Sequence, residues 1–336
     1  MKFLIIRFSS IGDIVLTTPV IRCLKTQVEG AEVHYLTKPG FKTVVANNPY
    51  IDKIHVLQDD WDKMIEELKE EKFDYIIDLH KNLRTLRVKK DLAIPAYAFN
   101  KLNIEKLIYT KLKWNVMPDI HVVDRYMRTV QPFGVYNDGL GMDYFIKNEE
   151  EVQQRDIPLS HSAGYIAVVI GASYTNKKLP TYKLKELCAK IDHPIILLGA
   201  KEEFNDGEEI SSVDPIKIYN ACGKFSLNES ADLTRKAKLV ISHDTGLMHI
   251  AAAFKKQVIA VWGSTVPSFG VGPYYGSAFL TQQTLVPFDN VQVHKLWCRP
   301  CTKFGKNYCP QGHFKCMKNI PIDYIVERVN FRLGKA

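Results

Sequence analysis

Leu239-Val240-Ile241-Ser242-His243-Asp244-Thr245-Gly246-Leu247-Met248-His249-Ile250-Ala251-Ala252-Ala253 is the stretch that decides the fold. It opens as an apolar run of strand length, turns at Asp-Thr-Gly, and continues in small apolar residues at helical spacing. A strand running through a short glycine-bearing turn into a helix is a building unit of a parallel α/β sheet. The amides of a helix's first turn have no partners within the helix, and the aligned peptide dipoles make that end positive, so the turn favours phosphate. Gly246 lets a ligand approach the backbone. Thr245 offers a hydroxyl, and His249 lies one turn into the helix, on the same side. Ligands of open α/β sheets gather at the carboxyl ends of strands, where this turn falls. The competing reading is an ordinary helix start with Asp244 as its cap and His249 packed inside.

Outward from this stretch the same alternation recurs. Upstream, the pattern predicts strands over 165–170 and 194–199 and helices over 181–191 and 227–237; downstream it predicts a strand over 258–262 and a last amphipathic helix over 320–333. The N-terminal half repeats the theme, with strands over 3–8, 31–36, 53–57 and 73–79 and helices over 13–25 and 62–71. The pattern weakens over 94–143, and the polar stretch 152–164, with Pro158 and Gly164, reads as a linker. The expected architecture is therefore α/β, with two Rossmann-like domains facing a cleft. The domains span 1–160 and 161–319, and the helix of 320–336 packs back on the first.

The chain has 336 residues, a size that suits two domains, and 46% of them are hydrophobic. It lacks any run of about 18 apolar residues, the length a membrane-spanning helix requires, and its apolar N-terminal run is too short for a signal peptide. A cytoplasmic location is expected. The net charge is +8. Lys81, Arg84, Arg87, Lys89, Lys90, Lys101, Lys106, Lys111 and Lys113 fall in one stretch with only Asp91 and Glu105 as acids. Such a stretch attracts phosphates or an anionic membrane surface, or is simply a solvated face. It accompanies no recognised nucleic-acid module.

Three further segments carry chemistry. Phe8-Ser9-Ser10-Ile11-Gly12-Asp13 is a second strand-to-helix turn. Asp13 in the first helical turn is either a base for a substrate hydroxyl or a carboxylate stabilising the helix start. Ile170-Gly171-Ala172-Ser173-Tyr174-Thr175-Asn176-Lys177-Lys178-Leu179-Pro180 follows a strand and supplies a lysine able to neutralise a leaving diphosphate, although chemistry alone does not separate Lys177 from Lys178. Cys298, Cys301, Cys309 and Cys316 form a C-x2-C-x7-C-x6-C pattern. In a cytoplasmic chain such a set is either a structural Zn or Fe site or a reduced, packed loop. Cys23, Cys188 and Cys222 read as core residues.

These segments together resemble glycosyltransferase family 9, the ADP-heptose:lipopolysaccharide heptosyltransferases of GT-B fold. The family's Asp-Thr-Gly-x-x-His-x-Ala-Ala signature stands intact at 244–252, and its Ser-x-x-Gly-Asp element at 9–13. Gly-x-x-x-Glu stands at 199–203, Gly-Lys-x-Ser-Leu at 223–227, and an acceptor-domain segment at 78–84. Lys-x-Trp-Pro becomes Lys177-Lys178-Leu179-Pro180, a register that selects Lys177 and replaces an aromatic near the donor by Leu179. The resemblance implies inverting transfer of a heptose from ADP-heptose to an acidic inner-core glycolipid, with peripheral membrane contact and no metal needed for catalysis. Asp13 is then the base and Lys177 the leaving-group stabiliser. Ser173, Glu203, Phe225, Asp244, Thr245, Gly246 and His249 bind the donor, and Ser10, His80, Lys81 and Arg84 the acceptor. A protein acceptor stays open. The alternatives are a nucleotide-sugar epimerase of this fold and a cysteine-finger module that binds nucleic acid.

Overall fold

A computed structural model describes residues 1–334. The chain forms two compact units. The first comprises Met1–Lys101, Ile120–Phe145 and Tyr274–Gln282; the second comprises Leu102–Asp119, Ile146–Pro273 and the chain from Gln283 onward. Neither unit is a continuous stretch, which corrects the simple division at residue 160. The crossings lie where the apolar periodicity is weakest, around 94–143, and in a loop-rich region that carries no pattern of its own.

The first unit holds β1 (Lys2–Ile6), β2 (Glu32–Thr37), β3 (Lys53–Val56), β4 (Tyr75–Asp78) and β5 (Ala96–Ala98), in the order β3-β2-β1-β4-β5. All pairs are parallel, with Ile5 opposite both Tyr35 and Ile77. β1 is central, so Phe3, Leu4, Ile5 and Ile6 are all fully buried, as a strand covered on both faces requires. The helix predicted over 13–25 divides into Ile11–Val15 and Thr18–Gln27. Thr17 and Thr18 turn their hydroxyls back to the carbonyls of Ile14 and Val15, and Pro19 begins the second helix, where its missing amide costs nothing.

The second unit holds β6 (Ile166–Val169), β7 (Ile195–Leu198), β8 (Ile218–Asn220), β9 (Leu239–His243), β10 (Val258–Trp262) and β11 (Phe288–Gln292), in the order β11-β10-β9-β6-β7-β8, again all parallel. Both sheets therefore begin in the middle, run outward one way and then the other, which is the doubly wound Rossmann order. The switch point of the second sheet lies between β6 and β9, so the turns after these strands share one edge. The C-terminal helix is Ile322–Arg332. Its apolar face, Ile322, Ile325 and Val329, is buried in the second unit's core with Leu184, Leu187 and Ile259. The expectation that it packs on the first domain is thus corrected: the apolar stripe finds its partners on the helix Thr181–Lys190 and on β10. Residues 335–336 of that expected segment lie outside the described residues. No helix among the described residues is long and apolar enough to cross a membrane.

Candidate functional site

In the second unit, β9 ends at His243 and the helix Gly246–Ala253 starts three residues later, with Thr245 extended at its cap position. The Thr245 side chain makes no capping bond; its hydroxyl instead lies 3.2 Å from that of Ser242. The helix start is thus left without the side-chain acceptor that usually satisfies one of its amides. Asp244 is turned away from the helix. Its Oδ2 accepts from Lys177 Nζ at 2.6 Å and from the Thr265 hydroxyl at 2.8 Å. The pair is largely desolvated, Lys177 being 14% and Asp244 11% exposed, so the geometry holds the ammonium beside the turn rather than in solvent. The neighbouring Lys178 pairs with Glu203 instead. The two lysines that chemistry left equivalent are therefore separated by partner.

Glu203 sits at the turn after β7, where its Oε2 accepts from the Ala200 amide at 3.0 Å. A Cβ at Gly171, after β6, would stand 2.9 Å from that oxygen, so the Glu203 carboxylate packs directly against the backbone of this turn. Ser173 is exposed on the loop after β6, Phe225 leans on the core beneath the sheet, and His249 is buried in the first turns of its helix. Leu179 is also core: its side chain is 4% exposed, and its amide donates to His243 Nε2 at 2.9 Å. Burial holds His243 down to about pKa 4 and therefore neutral. His243 and Thr265 escaped the sequence reading. A histidine closing an otherwise apolar strand is the signal that marked the first; Thr265 lies beyond β10 with no local cue.

In the first unit the turn after β1 positions Asp13. Its Oδ1 is 2.8 Å from Arg7 Nη2, and its Oδ2 accepts from the Ser10 hydroxyl at 2.7 Å and the Ser10 amide at 3.2 Å. Arg7 is buried and fully engaged, donating to the carbonyls of Ser9 and Leu79 and to the Tyr126 hydroxyl. Burial opposes its charge, yet Asp13 and its other neighbours still raise its pKa. Arg7 was not foreseen, although an arginine at the end of a fully apolar strand is a legible anomaly. His80 packs on Phe8, and burial, with Arg7 and Lys101 near, lowers its pKa to about 4. Lys81 uses its backbone amide to bind the buried Asp78 at 2.6 Å, while its side chain and Arg84 are exposed. The basic stretch of 81–113 is divided between the units, residues to Lys101 belonging to the first and those from Leu102 on to the second.

The cysteine expectation is overturned. Among the described residues, the set bringing three ligand atoms within 4.8 Å of one another is His34, His55 and Glu71, and no such set includes Cys298, Cys301, Cys309 or Cys316. All are free thiols. Cys298 Sγ faces His313 Nε2 at 3.7 Å and Cys309 Sγ accepts the Phe314 amide at 3.3 Å, so these sulfurs are used locally. Burial raises the Cys298, Cys301 and Cys316 thiols, the last to about 12. His34 Nδ1 and His55 Nε2, within the neighbouring strands β2 and β3, share a hydrogen bond of 2.9 Å, and Glu71 there is already occupied by Lys2 and Lys53. A dication would have to displace both ammonium groups.

Residues 61–290 match the family model described as glycosyltransferase family 9 (heptosyltransferase). The lipopolysaccharide heptosyltransferase 1 of Campylobacter coli is 26% identical over 305 residues, covering 84% of this chain and 87% of that one. Among solved structures, a family 9 glycosyl transferase from Veillonella parvula matches with a TM-score of 0.75 at 18% identity, covering 100% of this chain and 98% of that chain. The ADP-heptose lps heptosyltransferase II of E. coli matches at 0.71 and 17%, covering 100% and 99%. At these identities the likeness bears on the fold, and it is the GT-B pairing of two Rossmann-like domains.

Proposed function

The chain belongs to glycosyltransferase family 9, the heptosyltransferases, and from that premise we propose that it transfers a heptose, with inversion, from ADP-heptose to an acidic lipopolysaccharide inner-core glycolipid. The observation that carries this reading is the uncapped helix start at Thr245 beside the Lys177–Asp244–Thr265 set. The helix amides and Lys177 receive the donor's diphosphate, and Asp244 keeps the lysine aimed. Ser173, Glu203 and Phe225 line the nucleotide, with Gly246 and His249 in the same pocket. Asp13 takes the proton of the acceptor hydroxyl. That oxygen forms a bond to the anomeric carbon from the face opposite the diphosphate, the carbon–oxygen bond to the diphosphate breaks, and the configuration inverts. Arg7 and the Ser10 hydroxyl hold the Asp13 carboxylate in place, and Ser10, His80, Lys81 and Arg84 meet the acceptor.

A glycolipid acceptor places the protein at the cytoplasmic membrane face. The segment Leu102–Asp119 supports this, since Ile104, Leu107, Leu112 and Trp114 are exposed among Lys106 and Lys111. Binding to anionic vesicles is then expected to weaken as salt rises.

Calorimetry with ADP-, GDP- and UDP-sugars, followed by NMR of the product's anomeric centre, tests the proposal. Selective binding of an ADP-sugar and an inverted product support it. Isomerisation of the donor alone, with no acceptor consumed, would instead mark an epimerase.

A further inference from the structure

A cavity of about 400 Å³ opens in the second unit beyond the carboxyl ends of β10 and β11. Its wall carries Lys113, Lys295 and Arg299, with Tyr109 and Trp297, and not one carboxylate. The cations there are unusually bare of counter-charge. Arg299 donates to the carbonyls of Val293 and Thr265 and to the amide oxygen of Gln292, all neutral acceptors. Its Nε is buried without a partner. Lys113 donates to three carbonyls, of Thr110, Cys298 and Pro300. Burial pushes the neighbouring Cys298 and Cys301 thiols up, toward the uncharged form. A desolvated cation surrounded only by dipoles is costly and strongly favours an incoming anion.

The position of this cavity fixes its relation to the reaction. Thr265 accepts from Arg299 through its carbonyl and donates to Asp244 through its hydroxyl, so two hydrogen bonds connect the cavity wall to the carboxylate that holds Lys177. Trp297, 67% exposed, and Tyr109 add the flat apolar faces on which sugar rings stack.

We propose that this cavity is a subsite for an anionic group, carboxylate or phosphate, carried by the sugar acceptor. The assignment to the acceptor rests on the transferase reading above. The anion subsite itself does not, because it can be measured without turnover.

The test uses the full chain, with Trp297 fluorescence as reporter and Trp297→Phe as the blank for the remaining tryptophans. Glucuronate, glucose and inorganic phosphate are titrated in the presence of saturating ADP, which fills the phosphate-binding turn. Saturable responses to the two anions and none to glucose are expected. Each should weaken by about tenfold in Arg299→Gln, the loss of one charge-assisted contact. Lys295→Ala, on the exposed rim, is expected to weaken them in the same direction and guards against a folding defect at position 299. Stronger binding of glucuronate assigns the group to a sugar acid, stronger binding of phosphate to a phosphorylated sugar. With acceptor and donor present, Lys295→Ala is expected to raise the acceptor KM selectively. Anion responses that vanish with ADP, or that are unchanged in both variants, overturn the subsite. A rise confined to the donor KM overturns its assignment to the acceptor. Absence of heptose transfer with intact anion binding would count against the transferase reading alone.

Discussion

Asp13 is held by donors from two residues, the Arg7 guanidinium and the hydroxyl and amide of Ser10. Arg7 and the Ser10 hydroxyl both direct donors at the carboxylate oxygens and fix their orientation. An oriented carboxylate is what a base for the attacking hydroxyl requires. Asp13→Asn keeps an acceptor for Ser10 and removes the proton sink. The expected result is a fall in kcat of about 10²–10⁴-fold with ADP affinity, read by calorimetry, essentially unchanged. A matching loss of ADP affinity would assign Asp13 to the architecture of the turn instead. His243 makes the second residue-level case. Unfolded, it binds a proton near the ordinary value of about 6.5; folded, burial holds it to about 4. Between these values the unfolded chain takes up the extra proton, so stability present above about pH 6.5 is lost as pH falls, roughly 3 kcal/mol by pH 4. Urea melts at pH 7, 5.5 and 4.5 should show this slope. His243→Gln, whose Oε1 can replace Nε2 as acceptor for the Leu179 amide, should make it shallower, His80 being lowered to about 4 as well and keeping part of it; an equal slope in the variant would remove His243 as a cause.

At the scale of elements, most strands legible in the sequence are the inner strands of the two sheets; β3, an edge strand, is legible through the apolar alternation of Ile54, Val56 and Leu57. β10 is a continuous apolar run, and β9 is apolar up to Ser242 and His243, because both lie inside the six-stranded sheet. β11 was missed for the converse reason: Phe-Asp-Asn-Val-Gln is an edge strand, free to carry polar residues on its open side. β5 and β8, three residues each, are too short for any period to register. The site divides similarly. Asp244, Thr245 and Gly246 are contiguous and stand out as a turn, whereas Thr265 reaches Asp244 from 21 positions away, a distance no local pattern crosses. The same holds for Gly276. Its φ of +82° lies in the left-handed half, and a Cβ there would stand 2.2 Å from the Gly139 carbonyl oxygen. Gly276→Ala should therefore destabilise by about 1–3 kcal/mol or more, read as a lowered midpoint in urea with an unchanged slope. A neutral effect would mean that this return segment is not fastened as its contacts indicate.

The whole molecule is interlaced rather than strung. Each unit borrows chain from across the midpoint, and the borrowed pieces are bonded in place. In the first unit the Tyr274 hydroxyl joins Asp124 at 2.9 Å and Asn137 at 2.7 Å, and the Ala278 amide donates to Gly139 at 2.9 Å. In the second, Tyr109 meets Phe269 edge-on at 5.9 Å, and Lys113 ties the loop at Cys298 and Pro300. A linear division would predict that chains cut at residue 160 fold separately. Interlacing predicts otherwise: the fragment 1–160 lacks Tyr274–Gln282, and 161–336 lacks Leu102–Asp119. Each loses part-buried hydrogen bonds and not merely surface: those of the Tyr274 hydroxyl to Asp124 and Asn137, and those of Lys113 to the carbonyls of Cys298 and Pro300. Expressed alone, each fragment should melt about 10 °C or more below the full chain, and mixing the two should not restore the loss, because the missing pieces remain covalently attached to the wrong partner. Adding residues 274–282 back to the first fragment through a flexible linker should recover part of it. Fragments that melt at the full chain's temperature would show that the borrowed segments contribute little, and that the two sheets alone carry the stability of their units.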